Sequence, residues 1–342
     1  MRQEEINLIS DTVTKPTAAM LEHMMSARVG DDVFGADPTV IELQNKMAHM
    51  FGMESALFFP SGTMANQCAI NLLTVPASQI ICDKWAHVYN FEGGGASFNS
   101  GASCKLIDGN RGMFTAPQVE SAVHDPENYH LPMTKMVAIE NSTNKGGGAC
   151  WDFSELERIK AVCVKHNLGY HLDGARLFNA LACTGETPQQ FGAMFDTISI
   201  CLSKGLGAPV GSVLIGSGQL IERAVRVRKL FGGAMRQVGY LAAAGIFALD
   251  HHIDRLAEDH RRARALGTAL EKCSWVESVE PIETNIVIFY LKNASQEQAF
   301  IEILKKNQIL IISMGEGKLR MVTHMEFTDE QLSRVEDVLG KN

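Results

Sequence analysis

Between about residue 40 and residue 215, short apolar runs alternate with helical stretches, and this alternation constrains the fold more than any other feature of the chain. The runs fall at 55–59, 79–82, 104–107, 136–140, 169–172, 197–202 and 210–215. Each is short, nearly continuous in apolar character and bounded by turn residues, as expected of strands buried on both faces. Helical periodicity occupies 38–51, 153–166 and 219–229. Strand and helix in turn predict an α/β unit, a mostly parallel seven-stranded sheet with helices on both faces. The run 210–215 follows its predecessor after a brief Gly/Pro turn, too short for a crossover, so it is expected to lie antiparallel to its neighbour.

After a long helical region at about 237–271 the pattern changes. Strand-like runs at 276–279, 285–290, 309–313 and 319–323 surround helical stretches at 297–306 and 329–339, and Thr328 and Gln331 have the spacing of a capping box. This predicts a smaller α+β C-terminal domain at 251–342 behind a large domain at 1–250. The first thirty or so residues could pack with either.

Two of the apolar runs end on charged residues that belong together chemically. Asp173 closes the run in His171-Leu172-Asp173-Gly174-Ala175-Arg176, and Lys204 follows the next in Cys201-Leu202-Ser203-Lys204-Gly205. A parallel strand delivers functional groups at its carboxyl end. One carboxylate and one amine placed in this way suit pyridoxal 5'-phosphate (PLP), the carboxylate facing the pyridinium nitrogen and the amine joining the aldehyde carbon. That cofactor narrows the chemistry to amino acids.

Composition sets the remaining bounds. With 46% apolar and 20% charged residues, a large core is feasible. A net charge of −8 disfavours nucleic acid or an anionic membrane as partner. No apolar run reaches membrane-spanning length, and the start Met1-Arg2-Gln3-Glu4-Glu5 is too polar for a signal peptide. The eight cysteines are scattered, with no C-x-x-C pair, which reads as buried reduced thiols in a cytoplasmic protein.

Other residues carry two readings each. In Pro60-Ser61-Gly62-Thr63-Met64, a strand gives way to a helix start, where exposed N–H groups and hydroxyls suit a phosphate, or simply a helix cap. His87 could stack on a pyridine face and move protons, or be a structural histidine. Arg176 lies close enough to Asp173 to share its site. Arg320, on a C-terminal strand, could fork onto a substrate carboxylate or form a surface salt bridge. His251, His252 and His260 read as a solvated helix face rather than a metal site, since residues 252 and 260 are separated by about 12 Å of helical rise. Arg223, Arg226, Arg228 and Lys229 read as a basic solvated face, with an interface or phosphate role open. Gly93–Gly95 and Gly146–Gly148 read as tight turns or close backbone approaches.

These residues, in order, resemble the low-specificity L-threonine aldolases, PLP enzymes of fold type I (the aspartate aminotransferase type). The likeness runs nearly end to end, through 10–16, 30–35, 37–40, 61–66, His87, 172–180, 201–211, 232–237 and 319–324. It implies a lyase that cleaves the Cα–Cβ bond of L-threonine, L-allo-threonine and related β-hydroxy-α-amino acids, reversibly, to glycine and an aldehyde. It implies that Lys204 tethers PLP, Asp173 binds the ring nitrogen, His87 stacks on the ring, and Ser61, Gly62, Thr63 and Ser203 belong to the cofactor site. Ser10, Arg176 and Arg320 would hold the substrate carboxylate, with His130 near the substrate hydroxyl and Phe34 near the substrate. Lys229 and Arg236 would reach the phosphate of a neighbouring subunit in a homotetramer built as a dimer of dimers. No metal is implied. Two departures bear on specificity: Phe34 stands where the family usually has Tyr, and Ser142-Thr143 where it often has Thr-His. Rival readings are an aldolase preferring phenylserine, a β-eliminating lyase of the same fold, and a non-catalytic PLP-binding module.

Overall fold

The computed structural model describes residues 5–341; Met1–Glu4, on which the leader reading rests, lie outside them. Its strands in chain order are β1 (Ile6–Asn7), β2 (Ser55–Phe59), β3 (Gln79–Asp83), β4 (Ser103–Ile107), β5 (Thr134–Glu140), β6 (Gly169–Gly174), β7 (Thr197–Cys201), β8 (Ser212–Gly216), β9 (Val276–Val279), β10 (Ile286–Leu291), β11 (Ile309–Leu310), β12 (Ile312–Gly315) and β13 (Lys318–Val322). Strands β2 to β8 form one seven-stranded sheet in the order β2-β8-β7-β6-β5-β3-β4. Only β8 runs against its neighbours, pairing antiparallel with both β2 and β7. Thus the expected parallel sheet and the expected reversed strand are both present. Each of β3, β7 and β8 is buried along its whole length, which is why those runs lack polar alternation.

Helices cover both faces. Pro38–Phe51 starts where Asp37 accepts hydrogen bonds from the N–H groups of Thr39 and Val40, with Pro38 at the first helical position. The same carboxylate accepts the N–H of Gly239 at 2.9 Å, so one cap also ties down the start of the helix Gly239–His251. Val40, Leu43, Met47 and Phe51 recur at helical spacing and pack into the main core.

A second core lies under the sheet β12-β13-β10-β9 and includes Leu266, Phe289, Phe300 and Leu332. Ile6 and Leu8 belong to it, and β1 pairs in parallel with β11, so the chain's first described strand packs with its last third. The expected capping box is formed, Thr328 accepting from the N–H of Gln331.

Two expectations about solvated faces are corrected. His252 and His260 are buried: one ring nitrogen of His252 meets the carbonyl oxygen of Leu206 at 2.7 Å, and one of His260 meets Asn179 Oδ1 at 3.0 Å. Their helices pack on the rest of the chain through the very faces that carry these residues. Arg228 is also buried, donating to the carbonyl of Phe58 at 2.7 Å and to Asp32 at 2.8 Å, while Arg223, Arg226 and Lys229 are exposed.

Candidate active site

The carboxyl ends of the parallel strands converge on one cavity of about 350 Å³. Asp173 reaches it from the end of β6, Lys204 from the turn after β7, and His87 from the turn after β3. Ser61, Gly62 and Thr63 reach it from the turn after β2, where the helix Gly62–Leu73 begins. Ser203 also lines it.

Each of these groups is held. Asp173 is buried, accepting from the N–H of Ala175 at 3.1 Å and from Asn66 Nδ2 at 2.8 Å. The backbone oxygen of Lys204 accepts from Thr14 Oγ1 at 3.1 Å. At the helix start, Ser61 Oγ accepts the N–H of Met64, which leaves the N–H groups of Gly62 and Thr63 at the open end of the helix. A Cβ at Gly62 would meet Cys201 Sγ at 2.6 Å, so only glycine lets the helix start sit this close to β7.

His87 is fixed by two carboxylates. Its Nδ1 meets Glu92 Oε1 at 2.9 Å, and its backbone N–H donates to Glu140 at 2.8 Å. Burial alone would lower its pKa, but the bond to Glu92 and the charges of Asp173, Glu92 and Glu140 raise it above the usual value. Glu140 sits beside Asp173 across the β5–β6 pair, and burial with that neighbouring charge raises its pKa too. Behind this set lies a buried polar chain. Asn66 donates to both Asp173 and Glu92, and its Oδ1 accepts from Ser199 Oγ at 2.5 Å and faces His171 at 3.2 Å. Burial pushes His171 down to about 4, so near neutral pH it is uncharged.

Glu92 and Asn66 were assigned no role on sequence. Glu92 precedes the glycine run, and in the structure a Cβ on Gly95 would meet Gln67 Cδ at 2.5 Å. That close approach lets Gln67 Nε2 donate to Glu92 at 2.6 Å. His87, Glu92 and Asp173 are near enough to one another to hold a cation. However, Asn66 already donates to both carboxylates, which suits an orienting network better than a metal centre.

Beside this cavity, Arg320 donates to Asn144 Oδ1 at 2.8 Å and to the carbonyl of Ile9 at 3.1 Å. Its buried Nε has no partner, and burial with the nearby charge of Arg176 lowers its pKa to about 10. Ser10, next to Ile9, caps the turn Asp11–Val13. Arg176 departs from expectation: its Nε and Nη2 donate to Asp11 at 2.8 and 2.6 Å, leaving only Nη1 unengaged by that carboxylate. Burial would raise the Asp11 carboxyl, but the charge and hydrogen bonds of Arg176, aided by Lys204 and Asn285, hold it at about 2. Arg176 therefore anchors the N-terminal segment, and its fork is not free for a substrate.

Among the expected residues, Ser10, Arg176 and Arg320 also do not line this cavity, Arg320 facing a neighbouring one instead, and four more lie away from it within one chain. His130 and Phe34 are exposed, Lys229 lines a separate basic groove, and Arg236 pairs with Asp31 at 2.8 Å while lying over the ring of Phe34.

Residues 7–294 match the family model described as beta-eliminating lyase. The low-specificity L-threonine aldolase of Escherichia coli K12 is 39% identical over 331 residues, covering 96% of this chain and 97% of that protein. Low-specificity L-threonine aldolase 1 of Arabidopsis thaliana is 37% identical over 334 residues, with 96% and 93% covered. A threonine aldolase structure from Leishmania major superposes with a TM-score of 0.86 at 22% identity, covering 98% of this chain and 99% of that one. The architecture is accordingly that of fold type I.

Proposed function

The chain belongs to the low-specificity L-threonine aldolases within the beta-eliminating lyase family, and on that footing we propose that its 350 Å³ cavity holds PLP and cleaves β-hydroxy-α-amino acids to glycine and an aldehyde. The chain is thus a lyase, and threonine would give glycine and acetaldehyde. The observation that carries the site assignment is the meeting of one amine, one buried carboxylate, one imidazole and one helix N-terminus on a single cavity. That donor set fits PLP group by group: Lys204 for the aldehyde carbon, Asp173 for the ring nitrogen, His87 for a ring face, and Gly62 and Thr63 for the phosphate.

When bound, PLP supplies an electron sink for the pair left as the Cα–Cβ bond breaks. The chain supplies the rest. Arg320, which faces the adjoining cavity, and Ser10 would hold the substrate carboxylate, which would fix the direction of the breaking bond. Glu92 occupies Nδ1 of His87, so Nε2 is the nitrogen free to take the β-hydroxyl proton. Asp11, locked to Arg176, keeps Ser10 in place.

The exposed positions of His130, Phe34, Lys229 and Arg236 support a reading in which a second copy brings them to the site, in the homotetramer that the family resemblance implies. Eight free cysteines support a cytoplasmic location, and among the described residues no helix is long and apolar enough to cross a membrane. The two apolar cores support a division near residue 250, with β1 counted on the C-terminal side.

The test is aldehyde release by the PLP-loaded protein, offered L-threonine and L-allo-threonine side by side. Release of acetaldehyde with equimolar glycine is expected from at least one. Ammonia and a keto acid in their place would move the chain to the β-eliminating reading.

Glu92→Gln tests the arrangement around His87. The substitution removes the charge that raises His87, so the acidic limb of the kcat/KM profile is expected to move to lower pH while PLP affinity is kept. An unmoved limb would take His87 out of the proton transfer.

A further inference from the structure

A second, larger cavity of about 920 Å³ opens beside Arg320 and His87. His87 lines both cavities, so the larger one continues from the place where the β-carbon of the substrate would sit. Its walls are unlike those of the first. Trp85, Phe91, Tyr290 and Met314 offer flat or flexible apolar surface. Two ammonium groups stand on those rings: Lys145 Nζ lies 5.2 Å from the Phe91 centroid, and Lys318 Nζ lies 5.1 Å from that of Trp85 and 5.4 Å from that of Tyr290.

Neither lysine has a carboxylate partner among the described residues. The contrast with Lys84 is informative: it also approaches Trp85, yet its ammonium is paired with Asp108 at 2.6 Å. Glu280 is engaged by the hydroxyl of Tyr290 at 2.9 Å, and Glu316 on the rim is the one carboxylate lining the cavity. Lys145, Lys318 and Arg320 thus outnumber the acid there by three to one. Burial lowers the pKa of Lys318; the charge of Glu280 opposes that shift, and the smaller effect of Lys145 adds to it.

We propose that this cavity receives the aldehyde half of a β-hydroxy-α-amino acid whose β-substituent is bulky or aromatic and ends in an anion, with Lys145 and Lys318 as its receivers. The methyl group of threonine would leave nearly all of the space empty, whereas an aryl group would lie against Trp85 and Phe91 and carry its charge to the two ammonium groups. The proposal rests on the aldolase reading and extends it to substrate class. It also gives the phenylserine-preferring alternative a physical basis in the ring-lined walls.

The test compares kcat/KM for three substrates, β-(4-carboxyphenyl)serine, phenylserine and L-threonine, in the PLP-loaded wild type, Lys145→Met, Lys318→Met and the double variant. The wild type is expected to favour the carboxylated over the plain phenylserine by roughly tenfold, as two partly exposed ion pairs would give. The double variant is expected to lose that ratio while keeping its rate on threonine. A wild-type ratio near one, or a ratio unchanged in the double variant, would overturn the proposal. Failure of the wild type to cleave any of the three would instead count against the aldolase reading itself. Threonine turnover in each variant verifies its fold.

Discussion

Lys204→Ala is expected to remove the visible absorbance of bound PLP and to lower turnover by roughly 10⁴-fold or more, the scale on which loss of a covalent catalyst is felt. The reasoning starts from position. Lys204 follows β7, and its carbonyl is held by Thr14 Oγ1 at 3.1 Å and by the N–H of Gly207 at 2.8 Å. Both bonds are to the backbone oxygen, so they survive removal of the side chain. No ion pair to Nζ is present among the described residues, and its electrostatic effect on Asp11 is smaller than that of Arg176. The melting temperature of the cofactor-free protein should therefore stay close to that of the wild type. Absorbance, turnover and melting temperature measured together separate a lost tether from a lost fold. A variant that keeps its colour and its rate would show that another amine does this work.

The strands of the large sheet were legible because burial on both faces leaves an unbroken apolar run. Even the reversed β8 could be read, since its connection is too short for any crossover. What escaped was the side-chain environment of charged segments. His252 and His260 stand among Asp254, Arg255, Glu258 and Arg261, and local composition gave no sign that two of them face inward. Arg228 was hidden in the same way, because its partners Phe58 and Asp32 are distant in sequence.

The candidate site divides along a similar line. Residues at strand ends, namely Asp173, Lys204, His87 and the 61–63 turn, could be found because topology alone places them together. Glu92 and Asn66 could not be assigned roles, because Asn66 meets Glu92 and Asp173 only in the fold, and no local pattern marks Glu92 as the partner of His87. Arg176 was legible as a site residue but not in its pairing, since Asp11 reaches it from the far end of the chain. Residues 34, 130, 229 and 236 carry no information within one chain about where they act.

Asp173→Asn should retain PLP yet lose roughly 10²- to 10³-fold in turnover. A carboxylate within ion-pair distance raises the pKa of a cationic partner by about 1–3 units. Each unit is a tenfold change in the protonated fraction of a ring nitrogen facing position 173, and only the protonated ring withdraws electrons strongly. Asparagine keeps the shape but not the charge. One of its two terminal atoms becomes a donor, directed either at the N–H of Ala175 or at Asn66 Nδ2, both of which now donate to Asp173. A relieved repulsion acts against that local mismatch. Glu140 has a raised pKa, in part through the charge of Asp173, and a carboxyl raised in the folded state weakens the fold as pH climbs past its unfolded value. Removing the Asp173 charge lowers the folded pKa of Glu140 and relieves that penalty above the ordinary glutamate range. The cofactor-free variant should then melt close to the wild-type temperature near neutral pH, with the relief at Glu140 fading under acid as it protonates in both proteins. Collapse of turnover without loss of stability is the expected pair of results. A near-normal rate would remove Asp173 from the ring nitrogen, and a large fall in melting temperature at neutral pH would mean that its hydrogen bonds to Ala175 and Asn66 matter more than its charge.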